Sequence, residues 1–207
     1  MDGHRRTPIL IPALVVAILL AQGIPGVPGL LEYRADAVAD GEWWRLLTWH
    51  GVHWSQRHLL WDLLAFGVLG SLCEARSRRL TVSALVVGVL TVSVAVRVVR
   101  PELQTCRGLS GIDCALFALF WWLSIREALG AGDRRQVVLF VLVGLGFAGK
   151  TIYECAVGQA FFAGDGFIPL PSSHLAGFAA GLTVAIGAEL WSSLPCWRAR
   201  EVTAMVQ

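Results

Sequence analysis

Charge is scarce in this sequence. Only 15% of its 207 residues are Asp, Glu, Lys or Arg, against about 25% in ordinary soluble domains. A basic face is missing as well. The formal net charge is +2, and no basic patch is interleaved with aromatics, so no nucleic-acid partner is expected. Cys-x-x-Cys pairs, zinc-ligand spacing and nucleotide motifs are absent, so neither metal nor cofactor is implied. The five cysteines (Cys73, Cys106, Cys114, Cys155 and Cys196) are an odd number and read as small apolar packing residues. There is no tandem repeat, low-complexity linker or visible inverted repeat.

Long apolar runs are what the chain does have. With 56% hydrophobic residues and a mean hydropathy of +0.62, it reads as one polytopic membrane domain over residues 1–207, without a soluble appendage. Six spans can be drawn, at about 8–24, 58–73, 80–99, 110–128, 136–157 and 173–194. Each approaches the roughly 20 residues a bilayer crossing needs. A backbone in lipid must satisfy its own hydrogen bonds, so the spans are expected to be helices in an all-α membrane bundle. The first run follows Arg5 and Arg6. The Gly23–Gly29 segment after it offers no clear cleavage site, so a retained span is preferred to a signal peptide.

Loop arginines set the expected orientation. Arg5, Arg6, Arg76, Arg78, Arg79, Arg126, Arg134, Arg135, Arg198 and Arg200 share one side. Arg34, Arg45, Arg57, Arg97, Arg100 and Arg107 share the other. The larger set is expected to be cytoplasmic, with both termini. Spans two, four and six then enter from outside, which gathers His53, His58, Ser110 and His174 near the outer face. The loop from Pro25 to Arg57 carries Trp43, Trp44, Trp49 and Trp54. Tryptophan suits the headgroup zone, so a hairpin or short interfacial helices are expected there.

A serine becomes a nucleophile only beside a base. Ser110 lies in Gly108-Leu109-Ser110-Gly111, and the flanking glycines let the backbone turn tightly and expose the Ser110 N–H to an oxyanion. His50, His53, His58 and His174 are candidate bases, because histidine in or near a span is costly. His174 is followed by Gly177 and Gly181, a small-xxx-small face that permits close helix approach.

Together these segments resemble the rhomboid family of intramembrane serine proteases. Glu42-Trp43-Trp44-Arg45 looks like the family's Trp-Arg element. His53 to Asp62 is similar to its His-x4-His-x3-Asn pattern. Gly108-Leu109-Ser110-Gly111 matches the nucleophile motif, and His174 to Gly181 matches His-x2-Gly-x3-Gly. The resemblance covers nearly the whole chain in the family's order. It implies a rhomboid-like bundle of six transmembrane helices in which Ser110 is the nucleophile and His174 the general base, a pair without an aspartate. It also implies that His53 and the Ser110 N–H hold the oxyanion, that His58 is structural, and that Trp44 and Arg45 anchor the first loop. Two positions depart from the pattern. Asp62 stands where the family usually has Asn, and serves if protonated or if it orients His53 or His58. Cys114 stands where the family often has a tyrosine that stacks on the histidine.

The subgroup most resembled is rhombosortase, whose members often have Trp-Asp where this chain has Trp61-Asp62. It implies a transmembrane substrate with a C-terminal tail of Gly-Gly, a hydrophobic helix and a basic end. The setting implied is a bacterial inner membrane with the site toward the outer face. The rival readings are an inactive relative that binds membrane clients and a small transporter. Ser110 and His174 argue against the first, and the ordered motifs against the second.

The remaining charges within spans have bland readings. Asp113 could tune the site or contact a small or basic substrate residue, but a structural bond to Arg107 or Arg97 is favoured. Lys150 and Glu154 read as a self-neutralising pair one turn apart. Glu189 snorkels or pairs with an inner arginine. A Cys106–Cys155 disulfide is conceivable on an oxidising outer side.

Overall fold

The computed structural model describes residues 7–157 and 170–193. Arg5, Arg6, Asp165, Cys196, Arg198 and Arg200 lie outside them. The first helix, α1 (Leu10–Gly23), has no side-chain cap of its own. Its orphan N–H groups are met instead by Glu74, from the next long helix. Ile9, Leu10 and Ile11 donate to the Glu74 carboxylate at 3.1, 3.0 and 3.0 Å. A negative group is favourable at a helix N-terminus, and Arg78 pairs with the same carboxylate at 2.8 Å.

Short elements fill the tryptophan-rich loop: α2 (Val27–Leu31), β1 (Tyr33–Arg34), α3 (Ala35–Ala39), α4 (Arg45–Thr48) and a 3₁₀ turn (Trp49–Gly51). Arg45 fastens them. It is buried, bonds Glu42 at 2.5 Å, and donates to the Gly29 and Glu32 carbonyls at 2.9 Å each. Trp44 donates to the Leu30 carbonyl at 3.3 Å. Trp43, Trp44 and Trp54 stay exposed while Trp49 is buried.

The long helices follow: α5 (Gln56–Arg76), α6 (Arg78–Val99), α7 (Ser110–Gly130), α8 (Arg134–Val157) and α9 (Pro171–Ser193). Ser55 caps α5 by accepting from the His58 N–H, and Ser77 caps α6 by accepting from the Leu80 N–H. Four of them, α5, α6, α8 and α9, are long and apolar enough to cross a membrane. Two of the six expected spans fall short of that standard. The helix of the first, α1, has only 14 residues. The fourth, α7, has the length but carries Asp113, Arg126 and Glu127.

The central helix is α7, covered by α9, α5 and α6. Ile112, Leu116 and Leu119 are its most deeply buried large side chains. By contrast, Thr151 and Glu154 are the only buried residues of α8, and Leu142, Leu145 and Ile152 are exposed along it.

One tie between distant segments was not expected. Between α6 and α7 lies β2 (Thr105–Cys106), which pairs antiparallel with β1, Tyr33 opposite Cys106 and Arg34 opposite Thr105. Arg107 then pairs with Glu32 at 2.8 Å and stacks over Trp54 at 4.4 Å, and the Gly108 N–H donates to the Trp49 carbonyl. Cys106 and Cys155 are both free. The conceivable disulfide is therefore not formed, because Cys106 is enclosed by the ladder while Cys155 is exposed. Burial pushes the Cys106 thiol up to about 12, so it stays protonated and inert.

Candidate active site

Ser110 is the first residue of α7, so its N–H has no acceptor within the helix. The chain reaches it through Gly108, whose φ of +132° lies where side chains are rarely tolerated. A Cβ there would also come within 2.8 Å of the His58 ring. Glycine is required at this position on both counts.

His174 reaches Ser110 because α9 lies unusually close to α7. A Cβ on Gly177 would collide with the Gly111 carbonyl, and one on Gly181 with the Ala115 carbonyl. Gly111 is packed less severely, with a hypothetical Cβ 3.0 Å from Val92 and 3.2 Å from the Ser173 carbonyl. One turn before Gly177, His174 is 5% exposed, with its Nε2 3.0 Å from Ser110 Oγ. That is hydrogen-bond distance between a hydroxyl and an imidazole.

The other ring nitrogen has a partner that sequence reasoning missed. His174 Nδ1 lies 3.1 Å from Glu154 Oε2, and the same oxygen accepts from Lys150 Nζ at 2.7 Å. The expected Lys150–Glu154 pair is present, but it is not self-contained. The available signal was the rule that an ionisable residue within a span is functional by default.

A second cluster sits at the start of α7. Asp62 Oδ2 accepts from the Leu109 N–H at 2.8 Å. It lies 3.1 Å from His53 Nε2 and 3.2 Å from His58 Nε2. Asp62 therefore meets the backbone at the start of α7 and hydrogen-bonds His53, while its approach to His58 is a charge contact. The three residues offer one ligand atom each within 4.8 Å of one another, a spacing that a metal ion would also accept. The two histidines differ in access: His58 lines the cavity beside Ser110, whereas His53 is fully buried. Gln22 clamps the His53 backbone from α1, accepting from its N–H at 2.9 Å.

His50 takes no part. It stacks on Trp49 at 3.9 Å, and its Nε2 is 3.1 Å from Ser93 Oγ. Burial drives its pKa down to about 3. Asp113 is buried on the cavity wall, but the favoured arginine partner is not there. Arg107 is taken by Glu32, and no ion pair joins Asp113 to an arginine among the described residues. Glu189 does pair with Arg126, at 2.5 Å. Cys114 is buried on the same wall.

The cavity is about 560 Å³ and is lined by α5, α7 and α8, with Ser110 and His174 in its wall. Trp61, Leu64, Val68, Phe117 and Phe147 make it mostly apolar. A nucleophile with a base at bonding distance, an open helix N-terminus and an apolar cleft suit acyl transfer from a hydrophobic peptide.

No curated protein matches the chain in sequence. The family model of the Rhomboid domain matches residues 40–188, from the first loop to nearly the end of α9. That match spans the Trp44–Arg45 anchor, the His53–Asp62 cluster, Ser110 and His174. The chain belongs to the rhomboid family, whose members are intramembrane serine proteases.

Proposed function

We propose that this chain is an active intramembrane serine endopeptidase with Ser110 as nucleophile and His174 as general base. The observation that carries this reading is the 3.0 Å approach of His174 Nε2 to Ser110 Oγ in the wall of the apolar cleft. His174 takes the Ser110 proton as Oγ attacks the scissile carbonyl. The oxyanion is met by the Ser110 N–H and a histidine. His58 stands on the cavity wall and His53, given that role from sequence, acts through Asp62. His174 then protonates the leaving amine, and water hydrolyses the acyl-enzyme. The substrate is a transmembrane segment that enters between α5 and α8 and unwinds, since helical carbonyls are shielded by their own hydrogen bonds.

The finer assignment is to the rhombosortases, with α1 and α7 completing six spans in one domain. The chain would sit in a bacterial inner membrane with both termini cytoplasmic and the site toward the outer face. The substrate would be a protein anchored by a Gly-Gly, hydrophobic and basic C-terminal tail. Trp61-Asp62 supports this subgroup.

The test is co-expression with a reporter ending in such a tail, read by product mass. Cleavage by wild type, lost in Ser110→Ala and His174→Ala while both insert and fold, is the expected result. A fluorophosphonate probe that leaves Ser110 of the folded wild type unlabelled would overturn the protease reading. Labelling without cleavage of the reporter would retain the protease and reject this substrate.

A further inference from the structure

We infer that Glu154 is a positioning residue for His174, so that the working set is Ser110, His174 and Glu154. The inference rests on the protease reading above and extends it beyond a two-residue site.

A neutral imidazole carries one ring proton. To take a proton from Ser110, His174 must present a lone pair at Nε2, which requires the ring proton to sit on Nδ1. A buried N–H needs an acceptor. Glu154 Oε2, 3.1 Å from Nδ1, is that acceptor, and it selects the reactive tautomer and fixes the ring plane. Once His174 holds the Ser110 proton, both ring nitrogens donate. The Glu154 carboxylate then faces the new positive charge, in surroundings where Coulombic attraction is strong.

The placement of Glu154 argues against simple charge neutralisation. Along α8 the buried side chains are Thr151 and Glu154, and Glu154 is 2% exposed. Lys150, the only lysine in the chain, has a side chain 27% exposed. A pair formed to hide both charges from lipid would gain nothing by aiming the carboxylate at an imidazole of another helix. Lys150 instead compensates a carboxylate that the histidine requires, bonding the same oxygen at 2.7 Å. Proton transfer within the set balances without another reactant. The Ser110 Oγ–H bond breaks as the Nε2–H bond forms, while the Nδ1 proton stays on His174.

The experiment uses the full chain in detergent and a fluorophosphonate probe, which reports serine activation without a known substrate. Labelling is followed against probe concentration, to separate the maximal rate from half-saturation. Glu154→Gln is expected to lower the maximal rate by about tenfold or more, with half-saturation unchanged, and Glu154→Asp to recover part of it. A downfield Nδ1–H proton of His174 should be present in wild type and lost in Glu154→Gln. Lys150→Met/Glu154→Gln removes both charges, which separates a slow site from an unfolded one. Wild-type labelling rates in folded Glu154→Gln would overturn the inference and leave the protease reading intact. So would loss of fold in the single and double variants alike, which would make Glu154 structural. Absence of Ser110 labelling in folded wild type would overturn the protease reading, and this inference with it.

Discussion

Ser110 and His174 are legible in the sequence because glycines mark them. Close helix approach needs small residues at fixed spacing, and that spacing survives as a motif. Glu154 is less legible, since a partner on α8 is fixed by three-dimensional packing and leaves no pattern around His174. The histidines show the same limit. Sequence offers four near the site; all four are buried, and their partners in the fold sort them. His50 is the plainest case, held neutral at a pKa of about 3 where an exposed histidine has 6.5. Its folded value is depressed, so between those two pH values the unfolded chain binds the extra proton and stability falls as pH falls. The expected slope from this group is about 1.4 kcal/mol per pH unit. Thermal unfolding between pH 7 and pH 4 should fall less steeply in His50→Gln than in wild type. Equal slopes would show that the ring is not held neutral.

At the scale of elements, the long helices stand within a few residues of their expected bounds. Apolar runs and the Ser55 and Ser77 caps carry that information locally. The β1–β2 ladder was invisible because two residues on each side leave no period to read. The capping of α1 by Glu74 was equally hidden, since donors and acceptor lie more than 60 residues apart. Replacing Glu74 with Ala strips three N–H groups of their acceptor, and a loss of about 3 kcal/mol is expected. Thermal unfolding, with faster amide exchange at Ile9 to Ile11, measures it; unchanged exchange there would dismiss the cap. Gly177→Ala tests the α7–α9 contact. Its methyl must displace the Gly111 carbonyl, at about 1–3 kcal/mol of overpacking. His174 should then retreat from Ser110, and probe labelling should fall at least about tenfold, the effect of about 1.4 kcal/mol on a barrier, while the protein still inserts. Wild-type labelling would show that the approach is not needed.

For the whole molecule, the design is a buried α7 with its reactive end strapped to the first loop and a lightly held α8 beside the cleft. Composition already implied a membrane protein. It could not reveal the division of labour between a fixed side and a loose one, because that depends on which helices cover which. Ser110 belongs to the fixed side, through Arg107–Glu32, the ladder and Asp62. Glu154 belongs to the loose side.

The solitary Lys150 turns that division into a handle for chemistry. A protease specific for lysine cuts the denatured chain once, separating Ser110 from both Glu154 and His174, so the two sets of adducts can be weighed apart. In the native protein, an amine-reactive reagent competes with the Glu154 carboxylate for the same ammonium group. Its labelling rate then reports how often the Lys150–Glu154 bond within α8 opens.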